Sequence, residues 1–322
     1  MKNSYLIILA VIMASMLFLP LVATALPATQ GGAALTVAPK AEDAVRLKTE
    51  AGITEIEIDE YLVGVVAAEM PAEYTEEALK AQAVAARTFL SYKKEQNTKE
   101  DYDITADEST DQAFLSEEQL KEKWGDDFSK NLEKIKAAVK ATDEEMIFYE
   151  NKPIMAVYHA VSSGKTETAV NVWGKDYPYL TVTDSIGDLL CPDYLSTVKV
   201  SAEDFKNQMG ELVELLGEAK GWLGESESTE SGTVSKIFVG GKGFKGSELR
   251  EVFSLKSSSF DSTFDGTNFV FTVRGHGHGV GMSQYGANYM AQQGSDYKEI
   301  LSWYYKDCEI KKALGSGVGL RD

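Results

Sequence analysis

From Tyr5 to Leu26 the chain reads YLIILAVIMASMLFLPLVATAL, twenty-two residues without a charge. A membrane-spanning helix needs about 20 apolar residues, whereas the apolar core of a cleavable signal runs about 7–15. Length therefore favours an uncleaved anchor. Ala23-Thr24-Ala25 and the helix-breaking Pro20 keep a cleaved signal open as the alternative. Either way the rest of the chain is exported, and Lys2 with the N-terminal amine biases the short side inward. Residues 1–28 are expected to be the anchor (or signal). Residues 29–42, small and punctuated by Gly and Pro with no charge before Lys40, read as a flexible tether.

The remaining residues, 43–322, are long enough to bury a substantial core. Thirty-two basic against fifty acidic residues leave a net charge of −18. That balance argues against nucleic acid or anionic lipid as a partner and favours a neutral or sparsely charged substrate. Two cysteines, Cys191 and Cys308, are too few for a disulfide scaffold, and their spacing leaves pairing open. There is no CxxC or His/Cys array, hence no structural zinc site legible in the sequence.

Apolar and polar residues alternate in Val45–Lys48 and Ile53–Ile58 around Ala51-Gly52, which predicts a β-hairpin. Asp59 is placed to cap a short helix, Glu60 to Ala68, stopped by Pro71. The strongest helix signal runs from Thr75 to Tyr92. Thr75 can cap it, Glu76 and Glu77 suit its positive end, and Leu79, Ala83, Ala86 and Leu90 make a buried stripe. Helices follow at Ser116–Trp124 and Ser129–Thr142, then strands at Glu145–Tyr149 and Ile154–His159. Residues 201–234 read as an acidic helical stretch ending in a Gly/Ser/Glu linker, within an insert covering about 201–266. A Gly-rich loop, Gly275–Gly281, leads to a helix from Ser283 to Gln293 that ends at Gly294. Strands and helices in separate runs define an α+β fold, a single mixed catalytic domain with an acidic helical insert behind an N-terminal membrane helix.

Three clusters carry candidate chemistry. Glu69 lies at the end of an apolar helix between Ala68 and Met70, just before a chain reversal. A carboxyl that loses solvation there shifts toward the working range of a general acid. Lys80 and Arg87, seven residues apart, lie on one helix face, and the planar fork of Arg87 suits gripping substrate oxygens better than pairing with Glu69. The second cluster joins Tyr158-His159 and the Ser162-Ser163-Gly164 turn to the aromatics Trp173, Tyr177 and Tyr179. A His–Ser nucleophile there lacks the G-x-S-x-G elbow. The third is Arg274-Gly-His276-Gly-His278-Gly-Val-Gly281-Met-Ser283-Gln284-Tyr285-Gly286, whose glycines permit positive φ and close approach of a ligand. It lacks the spacing of a nucleotide-binding loop. His276 and His278, with His159 as a third, have the spacing of a metal set, and glycine-flanked histidines serve equally as hydrogen-bond donors.

At YLVGVVAAEMP, EALKAQAVAARTF, HAVSSGKTE, NVWG, PYL and GHGHGVGMSQYGA, between about Val45 and Tyr305, the chain closely resembles the stage II sporulation protein D family of lytic transglycosylases. The resemblance implies cleavage between N-acetylmuramic acid and N-acetylglucosamine to leave 1,6-anhydro ends. It makes Glu69 the catalytic residue. Lys80, Arg87 and Tyr179 fall on motif positions linked to activity or substrate binding in relatives, and His159, His276, His278, Gln284 and Tyr285 complete the expected substrate-binding set. It further implies peptide-stripped glycan strands as substrate, an amidase or endopeptidase and a membrane scaffold protein as partners in engulfment, and a mother-cell membrane facing the forespore. Some clostridial relatives bind zinc through cysteines in the turn after the histidine. Here that turn, His159-Ala-Val-Ser162-Ser163-Gly164, has none, so no metal or other cofactor is expected. The family is also similar to amidase enhancers, which keeps a non-catalytic peptidoglycan-binding activator as the alternative. A metal-dependent hydrolase is a third.

Overall fold

A computed structural model describes residues 44–107 and 109–313. The anchor and tether expected over residues 1–42 lie outside the described residues, and no helix among the described residues is long and apolar enough to cross a membrane.

The hairpin forms as the alternation predicts. Ala44–Thr49 pairs antiparallel with Gly52–Glu57, and Ile104–Thr105 joins parallel on the other side. The chain then enters the helix Ile58–Glu69, which starts one residue before the expected cap, with Glu57 in extended backbone at the N-cap position. The helix Glu76–Gln96 is the centre of the molecule. It packs against Ile58–Glu69, Phe128–Ala141, Gln284–Gln292 and Tyr297–Tyr304. The predicted stripe Leu79, Ala83, Ala86 and Leu90 is buried, and so are Ala78, Ala81, Val84 and Ala85. Alanines on every side let neighbouring helices approach closely, so this helix is covered nearly all round rather than on one face.

The helix Glu117–Trp124 opens with a capping box between Ser116 and Gln119, as the Ser-x-x-Gln spacing dictates. Strand Glu145–Tyr149 lies between Glu309–Lys312 and Lys152–Pro153. The strand expected over Ile154–His159 shrinks to Tyr158–His159, which pairs parallel with Met282–Ser283. Here the Gly-rich loop runs directly into the element that begins the Gln284–Gln292 helix.

The structure corrects the reading of the acidic insert as helical. Between Leu195 and Arg274 it holds two three-stranded sheets, two short α-helices, Ala202–Met209 and Gly246–Val252, and a single 3-10 turn, Ala219–Gly221. The presumed linker is largely the strand Leu223–Ser228, nearly all of it exposed. An edge strand with solvated Glu and Ser reads as linker because its burial signal is missing. The insert has its own aromatic core, in which Phe205 stacks on Trp222, Phe253 and Phe269.

Candidate active site

Glu69 is the last residue of the Ile58–Glu69 helix, and Met70 leaves it in extended backbone. The cause is Pro71, whose ring disfavours the helical region for the residue before it. On the same helix Gly64 lets a loop press close. A Cβ there would stand 2.3 Å from the Phe114 ring, and the Leu115 N–H donates to Gly64 O at 3.4 Å. Docked in this way, the loop places the Ala113 N–H 3.1 Å from Glu69 Oε1. From the opposite end of the sequence, Gln284 Nε2 donates to Glu69 Oε2 at 3.3 Å and lies 3.5 Å from Gln82 Oε1. Glu69 is half-buried, and both of these donors are neutral.

Gln284 is itself held in place. Ser283 caps its helix by accepting from the Gly286 N–H at 3.1 Å, and the Ser283 hydroxyl donates to Asp188 Oδ1 at 2.8 Å. Asp188 Oδ2 accepts from the Ser162 N–H at 2.8 Å. Burial raises the Asp188 carboxyl above its ordinary range, against the pull of its serine donors. Asp188 therefore ties the Ser162 turn to the Gln284 helix. A phenol–amide chain completes the surroundings. Tyr61 Oη donates to Gln112 Oε1 at 2.8 Å, and Gln112 Nε2 donates to Tyr158 Oη at 2.8 Å. Burial first, then the charge of Glu69 among others, keeps both phenols protonated well beyond neutral pH. Lys123, close enough to feel the Glu69 charge, gives its ammonium to Ala67 O at 2.9 Å.

Of the residues singled out in the sequence, Glu69 and Gln284 meet directly. Tyr285 follows Gln284 in the same helix, edge-on to Tyr74 with ring centroids 6.3 Å apart, its hydroxyl donating to Leu190 O. Arg87 is placed elsewhere. Its guanidinium is buried and donates to Thr142 O at 2.7 Å, Val139 O at 3.3 Å and Glu145 O at 3.3 Å. It closes the C-terminal end of the Phe128–Ala141 helix, and burial lowers its pKa. Lys80 forms ion pairs with Glu76 and Glu77 on its own helix, which raise its pKa. Tyr179 is buried between Tyr149 and Tyr177 and accepts from the Met155 N–H at 3.0 Å, burial lifting its phenol to about 12.

The histidines separate. His159 is buried with Nδ1 3.1 Å from Val280 O, and burial, helped by the nearby His278, pushes its pKa down to about 3. His278 stands 5.8 Å from it, against Trp173 at 5.0 Å, and burial with the Arg250 charge pushes it down to about 4. His276 is exposed, its backbone paired with Val161. Among the described residues no group of three or more His, Cys, Asp or Glu side chains is arranged to hold a metal ion. The glycines of the loop serve packing. A Cβ on Gly277 would stand 2.8 Å from that of His159, and one on Gly281 2.1 Å from Val157 O. Cys191 and Cys308 are both free thiols.

Tyr158, named in the second cluster, stands with Glu69, and Gln82, Gln112, Ala113, Tyr61 and Asp188 join the site without having been singled out. Tyr61 and Gln82 sit inside motif blocks and Tyr158 directly precedes one, which was the signal for them. Gln112 and Ala113 carry no motif.

Glu69 is thus a half-buried carboxylate that accepts from two amide donors, with two phenols close enough to feel its charge, on an α+β domain. The family described as "SpoIID: Stage II sporulation protein" matches residues 47–149. Stage II sporulation protein D of Bacillus amyloliquefaciens is 40% identical over 265 residues, covering 81% of this chain and 76% of that one. The protein of the same name from Bacillus subtilis (strain 168) is 35% identical over 290 residues, covering 89% and 83%. A protein of the latter organism called amidase enhancer is 26% identical over 298 residues, covering 76% of this chain and 39% of its own length. The chain belongs to the stage II sporulation protein D family, and with it to the proteins of sporulation.

Proposed function

We propose that this chain is an exported, membrane-anchored peptidoglycan lytic transglycosylase, with Glu69 as its one acid/base. The observation that carries the reading is the company of Glu69: two neutral donors on its oxygens and a surround of amides and phenols. Hydrolysis by a glycosidase ordinarily uses a pair of carboxylates on either side of the bond. A single carboxylate suffices when the sugar supplies its own nucleophile.

Protonated Glu69 donates to the glycosidic oxygen, the bond from that oxygen to C1 of N-acetylmuramic acid breaks, and an oxocarbenium-like sugar develops. The ionised Glu69 then accepts the proton of the C6 hydroxyl as O6 bonds to C1, closing the 1,6-anhydro ring and restoring the acid. No water is consumed. General acid/base catalysis of this kind contributes about 10²–10⁴-fold. The proposed substrate is glycan stripped of peptides. An amidase or endopeptidase and a membrane scaffold are the proposed partners, at the mother-cell membrane facing the forespore.

Mass spectrometry of digested glycan tests the reading. The parent should give ends one water lighter than reducing ends, and Glu69→Gln should give none. Reducing ends alone mean hydrolysis and sink the proposal. The amidase-enhancer relative favours a second reading, a glycan-binding activator. Unmodified strands together with stimulation of a purified amidase would select it.

A further inference from the structure

Gln112 and Ala113 are adjacent residues with different tasks. The side chain of Gln112 holds the Tyr158 hydroxyl, while the backbone N–H of Ala113 holds Glu69. Consecutive Cα atoms are about 3.8 Å apart, so phenol and carboxylate are gripped by one short piece of chain. The strand pairing brings Tyr158 there independently. It is in register with Met282, two residues before Gln284, the other donor to Glu69. Tyr158 keeps part of its surface open to solvent.

The direction of each hydrogen is fixed from the buried end. Tyr61 is fully buried and gives its proton to Gln112 Oε1. Turning the Gln112 amide over would orphan that buried proton, at about 1–3 kcal/mol. The amide nitrogen therefore faces Tyr158 and occupies its oxygen as acceptor. What Tyr158 has left to offer a ligand is a donated hydrogen. A ligand group that meets it must be an acceptor. An anionic acceptor would stand beside the Glu69 carboxyl and is disfavoured by like charge. On a glycan of N-acetylated sugars the strongest neutral acceptor is the acetamido carbonyl.

We infer that Tyr158 is a substrate-contacting hydrogen donor that reads the acetamido carbonyl of the sugar held against Glu69, making the site selective for N-acetylated strands. The inference rests on the glycan-cleaving reading above and adds to it a determinant of specificity. A site built to hydrogen-bond a substrate group discriminates against the analogue lacking it, because the protein's own polar group is then left without a partner.

The test compares N-acetylated with chemically de-N-acetylated strands, using the full chain with and without Tyr158→Phe. Free amines attract an acidic protein, so the informative quantity is the ratio of the two variants' preferences. Tyr158→Phe should lower kcat/KM on acetylated strands about 10–100-fold and leave de-N-acetylated strands nearly unchanged. Tyr61→Phe, which frees the Gln112 amide to turn and accept from Tyr158, should lose part of the same preference. An equal loss on both strands, or a preference untouched in both variants, overturns the inference. Binding of the two strand types to Glu69→Gln protein, with and without Tyr158→Phe, separates the two ideas. If the parent cuts nothing, the cleavage reading falls, while selective weakening on acetylated strands still upholds Tyr158 and unchanged binding rejects it.

Discussion

Arg87 offers a test in which two roles predict opposite observables. Its guanidinium donates to three backbone carbonyls, Thr142 O, Val139 O and Glu145 O, from a buried position. Val139 O also accepts from the Thr142 N–H and hydroxyl, so losing Arg87 leaves it served. Thr142 O keeps the Glu145 N–H at 3.1 Å, but both it and Glu145 O lose a charged donor. Hydrogen bonds to charged groups contribute about 1.5–3 kcal/mol each, and burial of the guanidinium offsets part of that. Arg87→Ala should therefore cost about 3–5 kcal/mol, with lost stem packing included. At about 2–4 °C per kcal/mol this is a fall in Tm on the order of 6–20 °C. Urea unfolding of parent and variant measures it directly. Cleavage by the folded fraction, assayed well below the transition, should keep its KM for glycan. A variant as stable as the parent but with KM raised tenfold would refute the capping role and return Arg87 to the substrate.

Other outcomes follow from the same geometry. Gly64→Ala puts a methyl group into the Phe114 ring. It should destabilise by about 1–3 kcal/mol and, by displacing the Ala113 amide, cut anhydro-end formation at least tenfold; full activity would disconnect that loop from Glu69. His159 titrates at about 3 in the fold against about 6.5 unfolded, so the unfolded chain binds more protons between those values. Its contribution is complete above pH 6.5 and is lost as pH falls toward 3, about 2–3 kcal/mol by pH 4.5. Urea midpoints at pH 7 and 4.5 should differ less for His159→Phe than for the parent; equal differences would refute the buried neutral imidazole.

What the sequence made legible was local. The alternation in Val45–Lys48, the stripe Leu79–Leu90 and the helix expected over Ser116–Trp124 all rest on signals within a few residues and appear where expected. Contacts between distant segments stayed hidden. Thr75 precedes its helix as predicted, yet its side chain makes no cap bond; its N–H donates to Asn288 Oδ1, 213 residues away. The planar fork of Arg87 suggests a substrate grip, and nothing near it in the sequence announces the carbonyls at 139–145. The place of Glu69, at a helix end among apolar neighbours, is encoded locally, while its catalytic role is what the family resemblance implies. Its donors were only half legible, since Gln284 lay in a motif and Ala113 contributes a backbone amide, which any residue type supplies.

The insert enters along Leu195–Ser201 and leaves along Asn268–Arg274, two strands paired so that Leu195 faces Arg274. Its first and last residues are neighbours in space, and its aromatic core is separate from the one behind Glu69. Between them run bridges such as the hydroxyls of Thr229 and Ser231 on Glu167. A lobe hung from one doorway in the host can change its length and outer surface across lineages without moving the frame it hangs from. Evolution can thus remodel the outer face of this lobe while the carboxylate and its amides stay where they are.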